Sequence, residues 1–230
     1  MSLKTDRSMD FQHRYREIQD AWANGSIDAE AWHQGIQTFL EDAYLPAPTP
    51  QGQSGTSGDA DHWERRRRVI AEAIHHDGTF LDVGCANGLL METLPAWALS
   101  RGYQIEPHGL DISPKLADLA RQRLPAWADR IHVGNAVTWI PPRRYDFVRT
   151  ELVYVPPGRE PSLISHLLEH VVAPGGRLIL CAYRPRGETD AAQIGEQLHS
   201  WGWTPAGEAV APDTVRGGIA TRVVWLDAPV

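Results

Sequence analysis

Residues 80–89 read Phe80-Leu81-Asp82-Val83-Gly84-Cys85-Ala86-Asn87-Gly88-Leu89. An apolar strand runs straight into a glycine-containing turn and then into a helix. In an open α/β sheet such a turn lies at the carboxyl end of a strand, where ligands bind at the switch point. Gly84 has no Cβ, so the backbone there can come close to a ligand. Gly88 serves the turn or the tight packing of the following helix. Taken alone, the segment also reads as a plain strand–helix connection, so its surroundings decide.

Those surroundings alternate. Asp59 opens a helix over 59–76, and 79–83 is a short strand. A helix over 88–101 carries Pro95, which can kink it. A second strand covers 104–111. Ser113-Pro114 starts a helix to about Arg123, with Ser as N-cap and Pro in the first turn. Strands follow at 130–135 and 145–150, a helix at 161–171, a strand at 177–183 and a helix at 189–201. Two closing strands, about 205–211 and 219–227, suit an antiparallel edge. The pattern predicts an α/β, doubly wound, mostly parallel seven-stranded sheet covered on both faces.

Two further signals stand at strand ends. In Gly109-Leu110-Asp111-Ile112-Ser113 the carboxylate is placed to accept bonds from two ribose hydroxyls, or to serve as a helix N-terminal charge. In Gly134-Asn135-Ala136 the amide suits an adenine edge, or a simple turn.

Together these segments resemble the class I S-adenosylmethionine-dependent methyltransferases. LDVGCANG is similar to that family's glycine-rich motif, HGLDIS to its acidic ribose motif and HVGNAV to its adenine-side motif. YDFVRTELVYVP and VVAPGGRLILCAY resemble the fourth strand with its exit and the Pro-Gly-Gly turn into the fifth. The resemblance covers about residues 60–230. It implies a Rossmann-like fold and methyl transfer from S-adenosylmethionine, giving S-adenosylhomocysteine, to oxygen or nitrogen of a small molecule. It implies cofactor contacts at Asp82, Gly84, Cys85, Ala86, Gly88 and Leu89, at Asp111 and Ile112, at Asn135 and Ala136, and at Thr150. Asp82 is expected to order the loop. Glu151 and Tyr154 are the catalytic candidates, placed to meet the acceptor. Ala86 departs from the family pattern, standing where the middle glycine belongs.

Arg149 is unexpected on a strand buried on both faces, because a buried guanidinium needs a partner. It reaches Asp82 or Glu151, or the strand's solvated end. Of the four arginines at 65–68, Arg67 shares a helical stripe with Trp63, Ile70 and Ile74 and can point inward, towards the cofactor carboxylate. His166 and His170 are spaced as metal ligands, but no third ligand is evident and a surface helix is the expectation. No metal is expected.

Residues 1–58 form an N-terminal helical extension, and 59–230 the cofactor domain. Helices at 9–23 and 28–44 carry Trp22, Trp32, Phe39 and Tyr44 on apolar stripes. These either pack the helices together or wall an apolar acceptor under a lid. The loop QGQSGTSG at 51–58 is placed to pass the methionine end of the cofactor, with Gln53, Ser54 and Ser57 as donors.

The formal net charge of −7 disfavours a protein that coats nucleic acid. Two distant cysteines, no run of roughly 18 apolar residues and a polar N-terminus suggest a cytoplasmic protein without a membrane span. Two alternatives stay open. A dinucleotide oxidoreductase would use G-x-G-x-x-G, which G-C-A-N-G fits poorly. A non-catalytic S-adenosylmethionine-binding protein would keep the pocket without turnover. Oligomeric state and acceptor identity are not legible.

Overall fold

Seven strands form one sheet in the computed structural model, which describes residues 2–56, 58–185 and 187–230, with side chains from residue 13 onward. They are β1 (Gly78–Val83), β2 (Ile105–Asp111), β3 (Ile131–Val133), β4 (Tyr145–Thr150), β5 (Val172–Tyr183), β6 (Gly207–Pro212) and β7 (Ile219–Asp227). Their order across the sheet is β3-β2-β1-β4-β5-β7-β6. The first five pair in parallel, and β7 runs antiparallel between β5 and β6. The helices are α1 (Ser2–Ala23), α2 (Ala29–Tyr44), α3 (Ala60–Arg67), α4 (Leu89–Leu99), α5 (Pro114–Arg123), α6 (Glu160–His166) and α7 (Ile194–Ser200).

Strand side chains alternate between two faces, and each face has its own core. Leu81, Val83, Val148, Leu178 and Leu180 pack with Leu163 and Ile164 of α6 and with Ile194 and Leu198 of α7. Phe80, Phe147, Ile179 and Cys181 pack with Trp63 of α3, Ile70 and Ile74 after it, and Leu90 and Leu94 of α4. Met91 joins Ala117 and Ala120 of α5 and Ile131 in a third cluster. A fully buried residue of this size contributes roughly 1.5–3 kcal/mol, so double-sided burial fixes the register. The expected doubly wound sheet with its antiparallel closing strands is the observed one.

Helix starts follow side-chain chemistry. Asp28, Asp59 and Ser113 are N-caps that accept from the amides of Ala31, His62 and Leu116. Several boundaries differ from the sequence expectation. The backbone of α1 is helical from Ser2 rather than Met9, and the helix opened by Asp59 tightens to a 3-10 turn over Arg68–Ala73. A 3-10 turn over Pro125–Arg130 cuts β3 to three residues, and α7 starts only at Ile194. The Pro-Gly-Gly segment lies inside β5 instead of before it. Tyr145 pairs with Val172 and Phe147 with Arg177, so the residues between bulge out. A Cβ on Gly176 would lie 2.8 Å from the Asp146 carbonyl oxygen, which is why a side chain there is excluded. Among the described residues no helix is long and apolar enough to cross a membrane.

Candidate active site

The turn after β1 is held by its neighbour strand. The amides of Gly84 and Cys85 both donate to the Leu110 carbonyl, at 2.7 and 3.1 Å. Gly84 and Gly88 have φ of 77° and 75°, and Ala86 between them has φ 48°. The Ala86 amide donates to Asp111 Oδ2 at 2.8 Å. Asp111 Oδ1 accepts from the Ser113 amide, also at 2.8 Å. One carboxylate therefore ties the β1 turn to the start of α5. Burial outweighs both amide bonds and pushes its pKa up to about 6. Asp111 orders the turn through these two amides, and Asp82, for which loop ordering is expected, meets Arg149.

The other cofactor candidates gather at the same sheet edge. Cys85 is buried, its thiol pKa held well above the ordinary value by burial, and Leu89 opens α4 with its amide on Asn87 Oδ1 at 3.2 Å. Ile112 is half-buried next to Asp111. Asn135 Oδ1 accepts from the Val137 amide at 3.1 Å, a turn-forming contact. Ala136 packs beside it against the core. Thr150 ends β4 fully buried, and its hydroxyl has no hydrogen-bond partner among the described residues.

Arg149 resolves into a hub. Its guanidinium donates to Asp82 Oδ1 at 3.3 Å and to the hydroxyls of Tyr154 and Tyr183, each at 3.1 Å. It also pairs closely with Glu151. The strand end is buried, so two carboxylates and two phenols take the place of water around the charge. Burial pushes the Asp82 carboxyl up to about 6 despite Arg149. Burial likewise lifts the Tyr183 phenol to about 12. Glu151 Oε1 accepts from the Tyr154 hydroxyl at 2.8 Å.

The N-terminal segment closes over this edge. Arg67 lies 5.0 Å above the Trp63 ring and 4.7 Å above the Tyr183 ring. It donates to Thr56 Oγ1 at 3.0 Å and to the Ser54 carbonyl at 3.4 Å, and it makes no ion pair among the described residues. Ser54 Oγ accepts from the Trp63 indole at 2.9 Å. Asn87 is fully buried and donates to the Pro50 carbonyl at 2.8 Å. His33, Gln37, Glu41 and Tyr44 share one face of α2. At one end Glu41 accepts from Ser113 Oγ after β2. At the other His33 faces the backbone of Tyr154 after β4. The helix thus spans the carboxyl ends of β2, β1 and β4.

The structure brings together Ser54, Arg67, Asp82, Gly84, Cys85, Ala86, Glu151 and Tyr154 around one small cavity. Trp32 and Phe39 go elsewhere. Trp32 is buried and its indole donates to Gln19 Oε1 of α1 at 3.5 Å, and Phe39 meets Tyr15, so both join α2 to α1. Ser57 lies outside the described residues. Sequence reading missed Tyr183, Thr56, Asn87 and Glu41. Tyr183 ends β5 beside β4, which a sheet-order argument would have flagged. Glu41 and Thr56 carry no local signal. His166 Nε2 donates to the Trp139 carbonyl oxygen at 3.0 Å, and no group of three metal-ligating side chains occurs among the described residues.

No family model matches the sequence, and no curated protein sequence matches it. Solved structures do match. The N-methyltransferase NodS from Bradyrhizobium japonicum WM9, in complex with S-adenosylhomocysteine, is 15% identical with a TM-score of 0.58, covering 84% of this chain and 98% of its own. The Burkholderia thailandensis 1,6-didemethyltoxoflavin-N1-methyltransferase is 15% identical with a TM-score of 0.56, covering 89% and 92%. The [4+2]-cyclase SpnF is 16% identical with a TM-score of 0.57, covering 86% and 96%. At these identities the likeness is one of fold, and one neighbour bears the name of a different reaction.

Proposed function

We propose, for a chain that has the fold of the class I S-adenosylmethionine-dependent methyltransferases, that it binds S-adenosylmethionine and methylates oxygen or nitrogen of a small molecule. The observation that carries this reading is the convergence of the Gly84 turn, Asp111 and Arg67 on one cleft edge, at the ends of β1 and β2 and beneath the N-terminal segment. The strand order supports this reading over that of the dinucleotide oxidoreductases. Their sheet runs 3-2-1-4-5-6, whereas here an antiparallel β7 lies between β5 and β6.

The donor set fits the cofactor. Each Asp111 oxygen accepts one amide and keeps a lone pair for a ribose hydroxyl. The Asn135 carboxamide nitrogen suits an adenine edge, its oxygen being used in the turn. Arg67 has only neutral hydrogen-bond partners, so its charge is free for the methionine carboxylate, with Ser54 beside it. The backbone of Gly84, Cys85, Ala86 and Gly88 lines the approach, with Leu89, Ile112, Ala136 and Thr150 behind it.

When bound, S-adenosylmethionine supplies a methyl group on a sulfonium that leaves readily. The protein's part is then chiefly positioning, worth roughly 7–11 kcal/mol for well-oriented reactants. Glu151 is the group that attracts a cationic acceptor or takes its proton, once released from Arg149 and Tyr154. Residues 1–58 act as a lid on the domain formed by 59–230. Both cysteines are free and buried, which suits a reducing cytosol.

Calorimetry with S-adenosylhomocysteine, S-adenosylmethionine and NAD tests the binding. Methyl-labelled S-adenosylmethionine incubated with a metabolite extract tests transfer. Binding of the first two together with label in a small molecule supports the reading. Binding without label in any product favours a non-transferring protein. Binding of NAD alone overturns it.

A further inference from the structure

The ring of Tyr154 rests on bare backbone. A Cβ built on Gly84 would fall 2.6 Å from Cε2 and Cζ of that ring and 2.8 Å from its hydroxyl oxygen. The glycine therefore leaves a concavity, and the chain's own tyrosine fills it. This is the face of the β1 turn that a ligand of the cleft must use. The cavity left beside it, between Arg67, Asp82, Gly84 and Tyr154, is about 40 Å³. A water requires roughly 10–15 Å³ on that scale, so the space takes a few waters and no nucleoside.

The ring is fastened from two sides. Inside, its hydroxyl donates to Glu151 and accepts from Arg149, which Asp82 and Tyr183 anchor in turn. Bonds to charged groups of this kind are stronger than neutral ones. Outside, the N-terminal helices hold the same segment by its backbone. The Trp22 indole donates to the Pro157 carbonyl at 3.1 Å, and His33 packs buried against the backbone of Tyr154. The segment after β4 is thus clamped between a buried latch and the roof.

We propose that Tyr154 is an internal gate: its ring and the cofactor take the same space over Gly84, and entry requires Tyr154 to leave Arg149 and Glu151. This inference rests on the cofactor reading above. The gate lowers apparent affinity by the fraction of molecules that are open, since only those bind. Its release also uncovers Glu151 at the moment the cleft fills, so the latch couples cofactor entry to exposure of the acceptor-side carboxylate.

The test compares the full chain with Tyr154→Phe and Tyr154→Ala, using S-adenosylhomocysteine as the probe. Phenylalanine keeps the ring and loses the latch, and alanine removes both. Calorimetry should show Tyr154→Ala binding about tenfold more tightly, or better, with Tyr154→Phe between it and the parent. In stopped-flow fluorescence the parent's rate should level off with rising ligand, limited by opening, while the alanine variant's rate keeps climbing. Equal or weaker binding by both variants, with the parent's kinetics, overturns the gate and leaves the cofactor reading standing. If no form binds, and circular dichroism shows all three folded, the cofactor reading fails and the gate with it. Should Tyr154→Ala not fold, Tyr154→Phe decides alone.

Discussion

Ala86 donates its amide to Asp111 Oδ2 from a left-handed backbone, at 2.8 Å and φ 48°. Among the described residues it is the one non-glycine with positive φ. A left-handed L-residue costs roughly 1–2 kcal/mol, and the carboxylate bond helps to hold it. Ala86→Gly should relieve that cost and raise stability by about 1 kcal/mol, less what the freer unfolded chain returns. Urea unfolding with an unchanged slope and a higher midpoint is the expected result. A lower midpoint would mean that the turn carries no strain at Ala86.

Asp111 itself serves two buried amides, so removing it affects more than a ligand. In Asp111→Asn one oxygen can accept one amide, while the new NH2 faces the other donor. Leaving a buried donor unpaired costs roughly 1–3 kcal/mol. The variant should lose stability by that amount and also lose affinity for S-adenosylhomocysteine, measured well below its own melting point. Retention of full affinity would move the ribose contact to another residue.

Asp82 and Asp111 make the free protein's stability depend on pH in an unusual direction. Burial raises both carboxyls to about 6 in the folded chain, above the ordinary value near 4. Between those values the folded state binds more protons than the unfolded state, so their contribution falls as pH rises from about 4 to 6. Asp213 works oppositely: amide bonds from Arg216 and Val215 lower it to about 2. A raw melting curve mixes these signs. The difference between the parent and Asp82→Asn isolates one of them. The parent should lose stability relative to the variant across pH 4–6, by an amount on the order of 2 kcal/mol. A flat difference across that window would show Asp82 titrating normally in the fold.

The sheet was readable because its inner strands β1, β4 and β5 are mainly apolar and buried on both faces, and turn or cap residues separate strands from helices. Ser113-Pro114 and Asp59 mark helix starts by chemistry that acts within three residues, and both appear where expected. The β1 turn was readable for the same reason. What escaped is non-local. The bulge at Gly175-Gly176 depends on the Asp146 carbonyl across the sheet, and no neighbour in sequence reports it. Arg149 could be seen to need a partner, but the phenol of Tyr183, 34 residues away, comes only from β4 lying beside β5. The same holds for α2. Its apolar stripe was evident, yet the polar face that spans the cleft has meaning only once Ser113 and Tyr154 stand at its two ends.

Glu41 is the fastening of that roof, and its removal separates roof from floor. It is buried, and it accepts from Ser113 Oγ at 2.7 Å, Lys115 Nζ at 2.7 Å and Gln37 Nε2 at 3.0 Å. Burial alone would raise its pKa, but these three partners outweigh it and hold the carboxyl below the ordinary value. A depressed carboxyl stabilises above its unfolded pKa and loses that contribution as pH falls. Lys115 is the largest of the three in lowering the carboxyl, though its exposure limits what that pair adds to stability; the buried Ser113 bond comes next. Glu41→Ala should therefore cost roughly 1–3 kcal/mol near neutral pH and less in acid. Hydrogen exchange is the discriminating measurement, because local opening shows up segment by segment. Amides of α2 should exchange faster in the variant while those of β1 and β4 keep their protection. Equal acceleration across the sheet would mean that Glu41 supports the whole fold, and that α2 does not open separately from the strands beneath it.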